Sequence, residues 1–258
     1  MASHFFEGLD GTERASKPRQ TGLTMVIDWG FGPNAQSDLI TACASHFDFA
    51  KVAVGISRLL SNETLSAKLG HYQEHEIEPF PGGQFLEWAE VEGKAELYFD
   101  AVRAAGYRCI EVSDNMDAVT LEWKEKMILK GAGLGLRIIG EVGKKEGLPS
   151  GTDLSDDAVR CLEAGAEIVL LEAAELVDDD EETVRMIERA VERVGIGKVM
   201  FELPGPWIDG VRACDIHRMR RELIDRYGPE VNLGNVAPDD LMTLEAYRRG
   251  LGVNAGKK

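Results

Sequence analysis

The sequence contains no long apolar run and no paired-cysteine motif. No stretch approaches the roughly 20 apolar residues that a membrane-spanning helix needs, and residues 1–20 lack the basic start and apolar centre of a secretory signal. The four cysteines are Cys43, Cys109, Cys161 and Cys214. They form no CxxC pair, so the sequence does not indicate a zinc knuckle or a redox motif. These absences predict a cytoplasmic protein with reduced, buried thiols.

Basic residues are also scarce. The chain has 29 lysines and arginines against 45 aspartates and glutamates, which gives a formal charge of −16. Nucleic acids and anionic membranes bind basic surfaces, so we expect neither as a partner. A small anionic or carboxylate-bearing substrate is compatible with this charge, because a few local lysines override the global sign. The composition leaves open whether the protein forms a homo-oligomer.

Common nucleotide-binding and hydrolase motifs are absent as well. No GxGxxG or GxxxxGK[ST] run follows a predicted strand, and the chain has no GxSxG elbow. His71 and His75 stand four residues apart within HYQEH, which is not the HExxH of zinc enzymes. A structural role is the simpler interpretation of this histidine pair.

Short β-branched runs alternate with amphipathic helical stretches along most of the chain. Several runs are nearly continuously apolar, such as IVLL at 168–171, which is typical of parallel strands covered by helices. Helical stretches repeatedly end just before a glycine, as Asp153–Ala164 does before Gly165. The eight predicted strands are Thr24–Asp28, Phe49–Val54, Glu76–Phe80, Cys109–Ser113, Leu136–Val142, Glu167–Glu172, Lys198–Leu203 and Val231–Val236. This pattern predicts an α/β fold, a single-domain (β/α)8 TIM barrel.

The predicted barrel covers residues 21–251. Residues 1–20 form an N-terminal arm that we expect to be loosely held, and residues 252–258 form a frayed C-terminal tail. No linker rich in proline, glycine and serine divides the chain into two domains.

Four glutamates interrupt otherwise apolar predicted strands. They are Glu111, Glu141, Glu172 and Glu202. Active sites of such barrels lie at the carboxyl ends of the strands, and buried carboxylates are costly unless paired or bound to a cation. One arrangement that relieves the repulsion is a hard divalent cation, Mg²⁺ or Mn²⁺, with these glutamates as ligands. The other is neutralisation by Lys51, Lys144 and Arg137, and a third reading has some glutamates pointing outward.

Further polar residues stand at the predicted strand ends. The candidates for substrate contacts are Asp28, Trp29, Lys51, Ser113, Asp114, Asn232 and Asn235. Lys144 and Lys145 follow a Glu-Val-Gly turn, where a lysine near Glu141 is suited to proton transfer. We therefore take Lys144, Lys145 and Glu141 as catalytic candidates, with a pair of solvated loop lysines as the alternative.

An ordered series of segments resembles the phosphosulfolactate synthases. The segments are KPRQTGLTMVIDWG at 17–30, PGGQFLEWA at 81–89, IEVSDN at 110–115, GEVGKKEG at 140–147, LEAGAEIVLLEAAE at 162–175, VMFELP at 199–204 and VNLGNVAPDDLMTLEAYRRGL at 231–251. The resemblance covers nearly the whole chain from about residue 17. It implies a Mg²⁺-dependent barrel of the lyase class, on which sulfite adds to phosphoenolpyruvate.

The chain departs from that family at several strand ends. DWG at 28–30 stands where the family has Asp-Lys-Gly, and KVAVGIS at 51–57 where it has KFGWGTS. AA at 173–174 replaces a pattern with arginine between two glutamates, and PGPW at 204–207 replaces a lysine and paired glutamines. Each lost charge-assisted hydrogen bond is worth roughly 1.5–3 kcal/mol. We therefore expect a substrate that is less charged than phosphoenolpyruvate plus sulfite.

Three hypotheses follow. In the first, Mg²⁺ holds a carboxylate-bearing acceptor, Lys144 or Lys145 transfers a proton, and sulfite or another small nucleophile attacks. In the second, the family reaction is unchanged, and Arg58, Arg137 or Arg212 replaces the lost cations. In the third, the barrel binds a small acid without catalysis, which the retained EVGKK run and the strand glutamates argue against.

Overall fold

Eight parallel strands alternate with helices in the computed structural model, which describes residues 5, 6, 8, 9, 11–143, 153–172 and 181–253, apart from the side chain of Thr183. The strands are β1 (Thr24–Asp28), β2 (Phe49–Val52), β3 (Glu78–Pro81), β4 (Cys109–Val112), β5 (Arg137–Val142), β6 (Ile168–Glu172), β7 (Val199–Glu202) and β8 (Asn232–Val236). At least one helix follows each strand. The predicted (β/α)8 TIM barrel, a single domain, is therefore confirmed.

The helices cover the outside of the strands. They are α1 (Pro33–Cys43), α2 (Ile56–Leu59), α3 (Asn62–Gln73), α4 (Gln84–Val91), α5 (Ala95–Ala105), α6 (Leu121–Gly133), α7 (Leu154–Glu163), α8 (Glu181–Val194), α9 (Ala213–Tyr227) and α10 (Leu241–Arg248). Local sequence sets several of their ends: Asp153 caps α7 by accepting a 2.8 Å hydrogen bond from the Ser155 amide. Within the described residues, no helix is both long and apolar enough to cross a bilayer.

The strands pair in the order β3-β2-β1-β8-β7-β6-β5-β4, and every pairing is parallel. The two ends of this order, β3 and β4, lie side by side and nearly close the barrel. All carboxyl ends of the strands therefore meet at one end of the molecule.

The core has an inner and an outer layer, and strand alternation decides which residues enter each. The inner layer fills the barrel with Leu23, Met25, Phe49, Phe80, Cys109, Ile139, Ile168, Leu170 and Met200. The outer layer packs the other strand faces against the helices. Five charged residues each stand two positions after an inner-layer residue on the same strand, and they are Lys51, Glu111, Glu141, Glu172 and Glu202. All five therefore face the barrel axis.

Two predicted strand boundaries differ by two residues because a non-glycine residue adopts positive φ, and several others differ by one residue. β1 has the predicted bounds, but β2 ends at Val52, two residues early, since Val54 has φ +39°. β3 begins at Glu78, because Glu76 has φ +56° in the turn after α3. Such a backbone leaves the extended conformation that a strand ladder requires.

Residues 11–20 are held against the amino-terminal end of the barrel by buried cations. Arg14 forms a 2.9 Å ion pair with Glu230, and Arg19 forms a 2.8 Å ion pair with Asp48. Lys17 donates hydrogen bonds of 2.9 to 3.0 Å to three main-chain carbonyls. The expectation of a loosely held arm is wrong for this stretch, because its cations satisfy carbonyls and carboxylates of the barrel.

Candidate active site

One lysine and four glutamates lie at the carboxyl-terminal end of the barrel interior. Lys51 is 5% exposed, and the glutamates at 111, 141, 172 and 202 are 2% exposed or less. Each is the last or next-to-last residue of its strand. The structure therefore brings these sequence candidates together and directs all of them inward.

Lys51 bridges two of the glutamates. Its Nζ lies 2.8 Å from Glu111 Oε2 and 2.6 Å from Glu202 Oε1. Arg137, the other described cation that we considered for neutralisation, lies at the amino end of β5 and contacts Glu167 and Glu78. Of these two cations, Lys51 alone contacts glutamates of the barrel interior.

Burial and mutual repulsion change the proton affinities in this cluster. Burial raises the pKa of the Glu111 carboxyl to about 8; Lys51 opposes the rise, while Glu141 and Glu202 add to it. Burial alone would lower the pKa of Lys51, but Glu111, Glu202 and Glu141 together raise it above its usual range. Lys51 is thus held as a cation beside a carboxyl that can carry a proton near neutral pH.

Oxygen ligands suited to a hard cation are present, but they do not form a cage of four glutamates. Among the described residues, no three strand glutamates bring carboxylate oxygens within 4.8 Å of one another. Mg²⁺ usually takes one or two protein carboxylates and completes its shell with water and substrate oxygens. Glu141 and Glu172 stand at the carboxyl ends of the neighbouring strands β5 and β6.

Gly83 brings the beginning of α4 onto Glu111. Its amide donates a 2.8 Å hydrogen bond to Glu111 Oε1. A Cβ at this position would lie 2.2 Å from Ser113 Oγ and 3.0 Å from Glu111 Oε1. Only glycine fits there, and the positive end of the helix dipole favours the ionised carboxylate.

Glu87 on α4 organises the loop after β4. It is fully buried and accepts hydrogen bonds from the Ser113 hydroxyl and, at 2.6 Å, from the Met116 amide. Between these two residues, Asn115 Nδ2 donates a 2.6 Å bond to Glu141 Oε1. Ser113, expected to contact substrate, therefore positions the loop that orients Glu141.

Lys124 on α6 forms a second buried network behind the site. Its Nζ lies 2.9 Å from Asp114 Oδ1, 2.8 Å from Asp157 Oδ2 and 3.0 Å from the Glu141 carbonyl oxygen. Asp114, another expected substrate contact, is thus bound to a lysine and 8% exposed. This network fixes the carboxyl end of β5.

Asp28 faces the helix layer and not the barrel axis. Its Oδ1 accepts from the amides of Gly30 and Phe31 at 2.7 and 3.0 Å, and its Oδ2 from Lys68 and Tyr72 at 2.6 and 2.9 Å. Both oxygens are already bonded twice. The structure therefore gives Asp28 a structural role in the turn after β1, in place of the expected substrate contact.

The two asparagines of β8 lie at opposite ends of the barrel. Asn232 is the first residue of β8, where it accepts from the Leu23 amide and donates to the Val199 carbonyl, both at 2.9 Å. The expectation that it lies at the active-site rim is wrong, because a strand's first residue is at its amino end. Asn235 does reach the site: its Nδ2 donates a 2.6 Å bond to Glu202 Oε1.

Aromatic and aliphatic side chains line part of the mouth. The rings of Trp29, after β1, and Trp207, after β7, pack edge to face with centroids 5.1 Å apart. Trp29 is 46% exposed, Trp207 41% and Val54, after β2, 40%. We call these three residues the mouth patch. The patch presents apolar surface to whatever enters the site.

Two sequence candidates lie outside the described residues, namely Lys144 and Lys145. The residues 173–174, where the family has an arginine, lie outside them too. The described chain stops at Gly143, which has φ +102° and whose Cβ, if present, would lie 3.1 Å from the Glu172 Cβ. This close approach places Gly143 itself beside β6.

A histidine cluster lies at the other end of the barrel. Among the described residues, His71, Glu74 and His75 are the group whose potential ligand atoms all fall within 4.8 Å. They stand at the carboxyl end of α3, close to Lys17, whose Nζ bonds the His75 carbonyl at 3.0 Å. The cluster is therefore remote from the strand glutamates.

Sequence reasoning missed several residues of the site. They are Gly83, Glu87, Asn115 and Lys124. The PGG run followed by QFLEWAEV at 84–91 could have indicated a helix that starts at the site, because glycine permits close approach of its backbone. No comparable signal marks Lys124, whose partners come from distant parts of the chain.

A (β/α)8 barrel with buried acids and a lysine at the carboxyl ends of its strands belongs, by architecture and site position, to the barrel enzymes. Residues 12–254 match the family described as (2R)-phospho-3-sulfolactate synthase (ComA). The chain belongs to the phosphosulfolactate synthase family, as the resemblance predicted.

Individual relatives agree with that membership. The chain is 32% identical to the phosphosulfolactate synthase of Methanothermobacter thermautotrophicus over 249 residues, which cover 92% of both chains. It is 27% identical to that of Bacillus subtilis, over 92% of this chain and 93% of the relative. Among solved structures, the YdjI aldolase from Escherichia coli K12 is similar with a TM-score of 0.56 and 11% identity, over 87% of this chain and 78% of that one. This last likeness concerns the fold alone.

Proposed function

We propose that the protein catalyses the addition of sulfite, or another small nucleophile, to an unsaturated carboxylate that is less charged than phosphoenolpyruvate. The family membership supports a lyase that forms a carbon–sulfur or related bond. The observation behind the altered substrate is the mouth patch, which presents two exposed indoles in segments where the resemblance implies lysines. Phosphate recognition needs fixed cations or amide donors, and indole rings supply neither.

The reaction needs a charge acceptor and a proton. As the nucleophile forms a bond to the β carbon, the π electrons move toward the substrate carboxylate, and the α carbon then takes a proton. Lys51, held as a cation, stabilises negative charge at this end of the barrel. Lys144 or Lys145, which follow Glu141 closely in the sequence, delivers the proton.

A divalent cation is part of this proposal. Glu141 and Glu172 would hold Mg²⁺ or Mn²⁺, which, when bound, supplies Lewis-acid stabilisation of enolate-like charge. Asn115 fixes Glu141 in place through its 2.6 Å hydrogen bond. We expect chelation to lower activity and added Mg²⁺ to restore it; full activity after exhaustive chelation would show that lysines alone provide the charge.

A second candidate is the family reaction unchanged, with phosphoenolpyruvate and sulfite as substrates. The 32% identity to a phosphosulfolactate synthase over 92% of both chains favours it. One assay separates the two: sulfite addition is measured with phosphoenolpyruvate and with 2-enoates that carry no phosphate. Efficient turnover of phosphoenolpyruvate would support the unchanged reaction and contradict the altered substrate.

A further inference from the structure

The mouth patch is one continuous surface. β7, β8, β1 and β2 are consecutive in the sheet, and three of them supply its residues. Trp29 contacts Trp207 directly. The segment of Val54 lies against that of Trp29, since the Ala53 amide donates a 3.1 Å bond to the Asp28 carbonyl. Apolar side chains that follow three strands of this run thus lie next to one another at the mouth.

The backbone is adapted to hold these side chains. A Cβ at Gly205 would lie 2.1 to 2.3 Å from the Trp207 ring, so the ring lies directly on a glycine. Val54 has φ +39°, an unfavourable conformation for a β-branched residue. Strain of this kind is typical of functional positions.

The patch adjoins the charged centre. A Cβ at Gly82 would lie 3.0 Å from the Val54 amide nitrogen and 3.4 Å from Lys51 Cε, so Val54 and Lys51 flank the same glycine. A ligand whose carboxylate reaches the centre would therefore place its substituent on the patch. Exposed apolar surface continuous with a catalytic pocket is typical of ligand binding.

Two buried lysines near this end already have carboxylate partners. Lys51 contacts Glu111 and Glu202, and Lys68 contacts Asp28. A phosphate on the patch would lose water without gaining a charge partner from these lysines. An uncharged substituent has no such cost and gains contact with the indoles.

We propose that the mouth patch binds an uncharged apolar substituent of the substrate, of aryl or branched alkyl type, in the place of a phosphate. This inference rests on the proposed function for the identity of the carboxylate, and it names the class of group that the carboxylate bears. The patch is then a specificity-determining surface.

The test is binding of three probes, trans-cinnamate, acrylate and phosphoenolpyruvate, to the full chain with Mg²⁺, by titration calorimetry. We expect cinnamate to bind on the order of tenfold tighter than either of the others, because it gains stacking on indole. In the Trp29→Ala/Trp207→Ala variant that preference should fall to within about twofold. Trp29→Phe should retain most of it, which guards against misfolding as the cause.

Trp88→Ala is the matched control. Trp88 is 45% exposed, a fraction similar to that of each mouth tryptophan, but its ring stacks on Phe85 along α4. The control should leave the cinnamate preference unchanged. Equal binding of cinnamate and acrylate, tightest binding of phosphoenolpyruvate, or an unaltered preference in the double variant would each overturn the inference.

Two further readouts separate the alternatives. Sedimentation of the double variant detects a patch that joins copies of the chain: a changed oligomeric state with unchanged cinnamate preference would overturn the inference. Mass spectrometry for sulfite adducts tests the proposed function separately. Absence of any adduct would contradict that function, while the binding comparison still decides the role of the patch.

Discussion

At the amino-terminal end of the barrel, several cations share main-chain carbonyls and a few carboxylates, whereas at the carboxyl-terminal end several carboxylates gather around one lysine. Arg19 donates to the Ser45 carbonyl at 2.7 Å and pairs with Asp48. Lys51 instead pairs with both Glu111 and Glu202. All three guanidinium nitrogens of Arg19 are bonded in this way without a ligand.

The second arrangement leaves a surplus of acceptors. Glu202 Oε2, Asn115 Oδ1 and Asn235 Oδ1 are buried without a hydrogen-bond partner among the described residues. Buried polar atoms of a native protein are almost always satisfied, so a group of unsatisfied oxygens indicates a ligand, an ion or water. At the amino end the unpartnered atoms of the described residues are two guanidinium nitrogens and one carboxylate oxygen, namely Arg14 Nε, Arg248 Nε and Glu78 Oε1. The two ends therefore differ in which atoms are in surplus, and the carboxyl end has the surplus of oxygens that a cation or a hydrogen-bond donor would satisfy.

The largest effect should follow from removing the lysine of the carboxyl end. Lys51→Met leaves Glu111 and Glu202 buried without their cation, so we expect the free energy of unfolding to fall by about 3–5 kcal/mol at pH 8. Turnover should fall by more than about 100-fold, by analogy with loss of a transition-state charge donor. Urea unfolding and a sulfite-addition assay measure the two quantities.

Lys68→Met is the matched control for that variant. Lys68 is also buried and paired with one carboxylate, that of Asp28, but it belongs to the helix layer. The Lys68→Met variant should have a lower free energy of unfolding than the wild type and an unchanged turnover number. Equal loss of turnover in both variants would mean that the assay reports folding and not chemistry.

A purely structural loss is expected at the amino end. Arg19→Met removes the buried partner of Asp48 and should lower the free energy of unfolding by about 3 kcal/mol. Its kcat/KM at a temperature where it is folded should stay within about twofold of the wild type. A large fall in kcat/KM would contradict the assignment of a purely structural role to Arg19.

A smaller, pH-dependent effect should follow from Glu111→Gln. Burial raises the folded-state pKa of Glu111 to about 8, so the folded protein holds a proton there that the unfolded chain releases above its ordinary pKa. Below that ordinary pKa, the Glu111 carboxyl does not lower the free energy of unfolding of the wild type. As pH rises from there to about 8, it lowers that free energy progressively. The variant lacks this slope and should gain about 2 kcal/mol on the wild type between pH 5 and pH 6.5. Parallel urea-unfolding curves across that pH range would contradict the assignment.

The barrel and its inward glutamates could be predicted from the sequence because both follow from local periodicity. Apolar runs predict the strands. Glu111 and Glu202 each stand two residues after an inner-layer side chain, so the alternation of a strand directs both of them inward. The positions of Asp28 and Asn232 could not be predicted in this way, because they are not set by local periodicity. The phase of alternation at Asp28 and the strand end occupied by Asn232 depend on neighbouring strands.

Contacts between distant segments could not be predicted. Glu87 acts through Ser113 and Met116, and Lys124 through Asp157, and nothing local to these residues encodes their partners. The docked residues 11–20 are a similar case, since their carbonyl acceptors come from several parts of the chain.

A competition experiment tests the central claim most directly. The wild-type protein is given sulfite, Mg²⁺ and equal concentrations of trans-cinnamate and phosphoenolpyruvate, and both products are quantified by mass spectrometry. The predicted result is that the cinnamate adduct forms with the higher kcat/KM, because its phenyl group lies on the mouth patch beside Lys51. Formation of phosphosulfolactate as the main product would contradict this account and assign the chain the family's usual substrates.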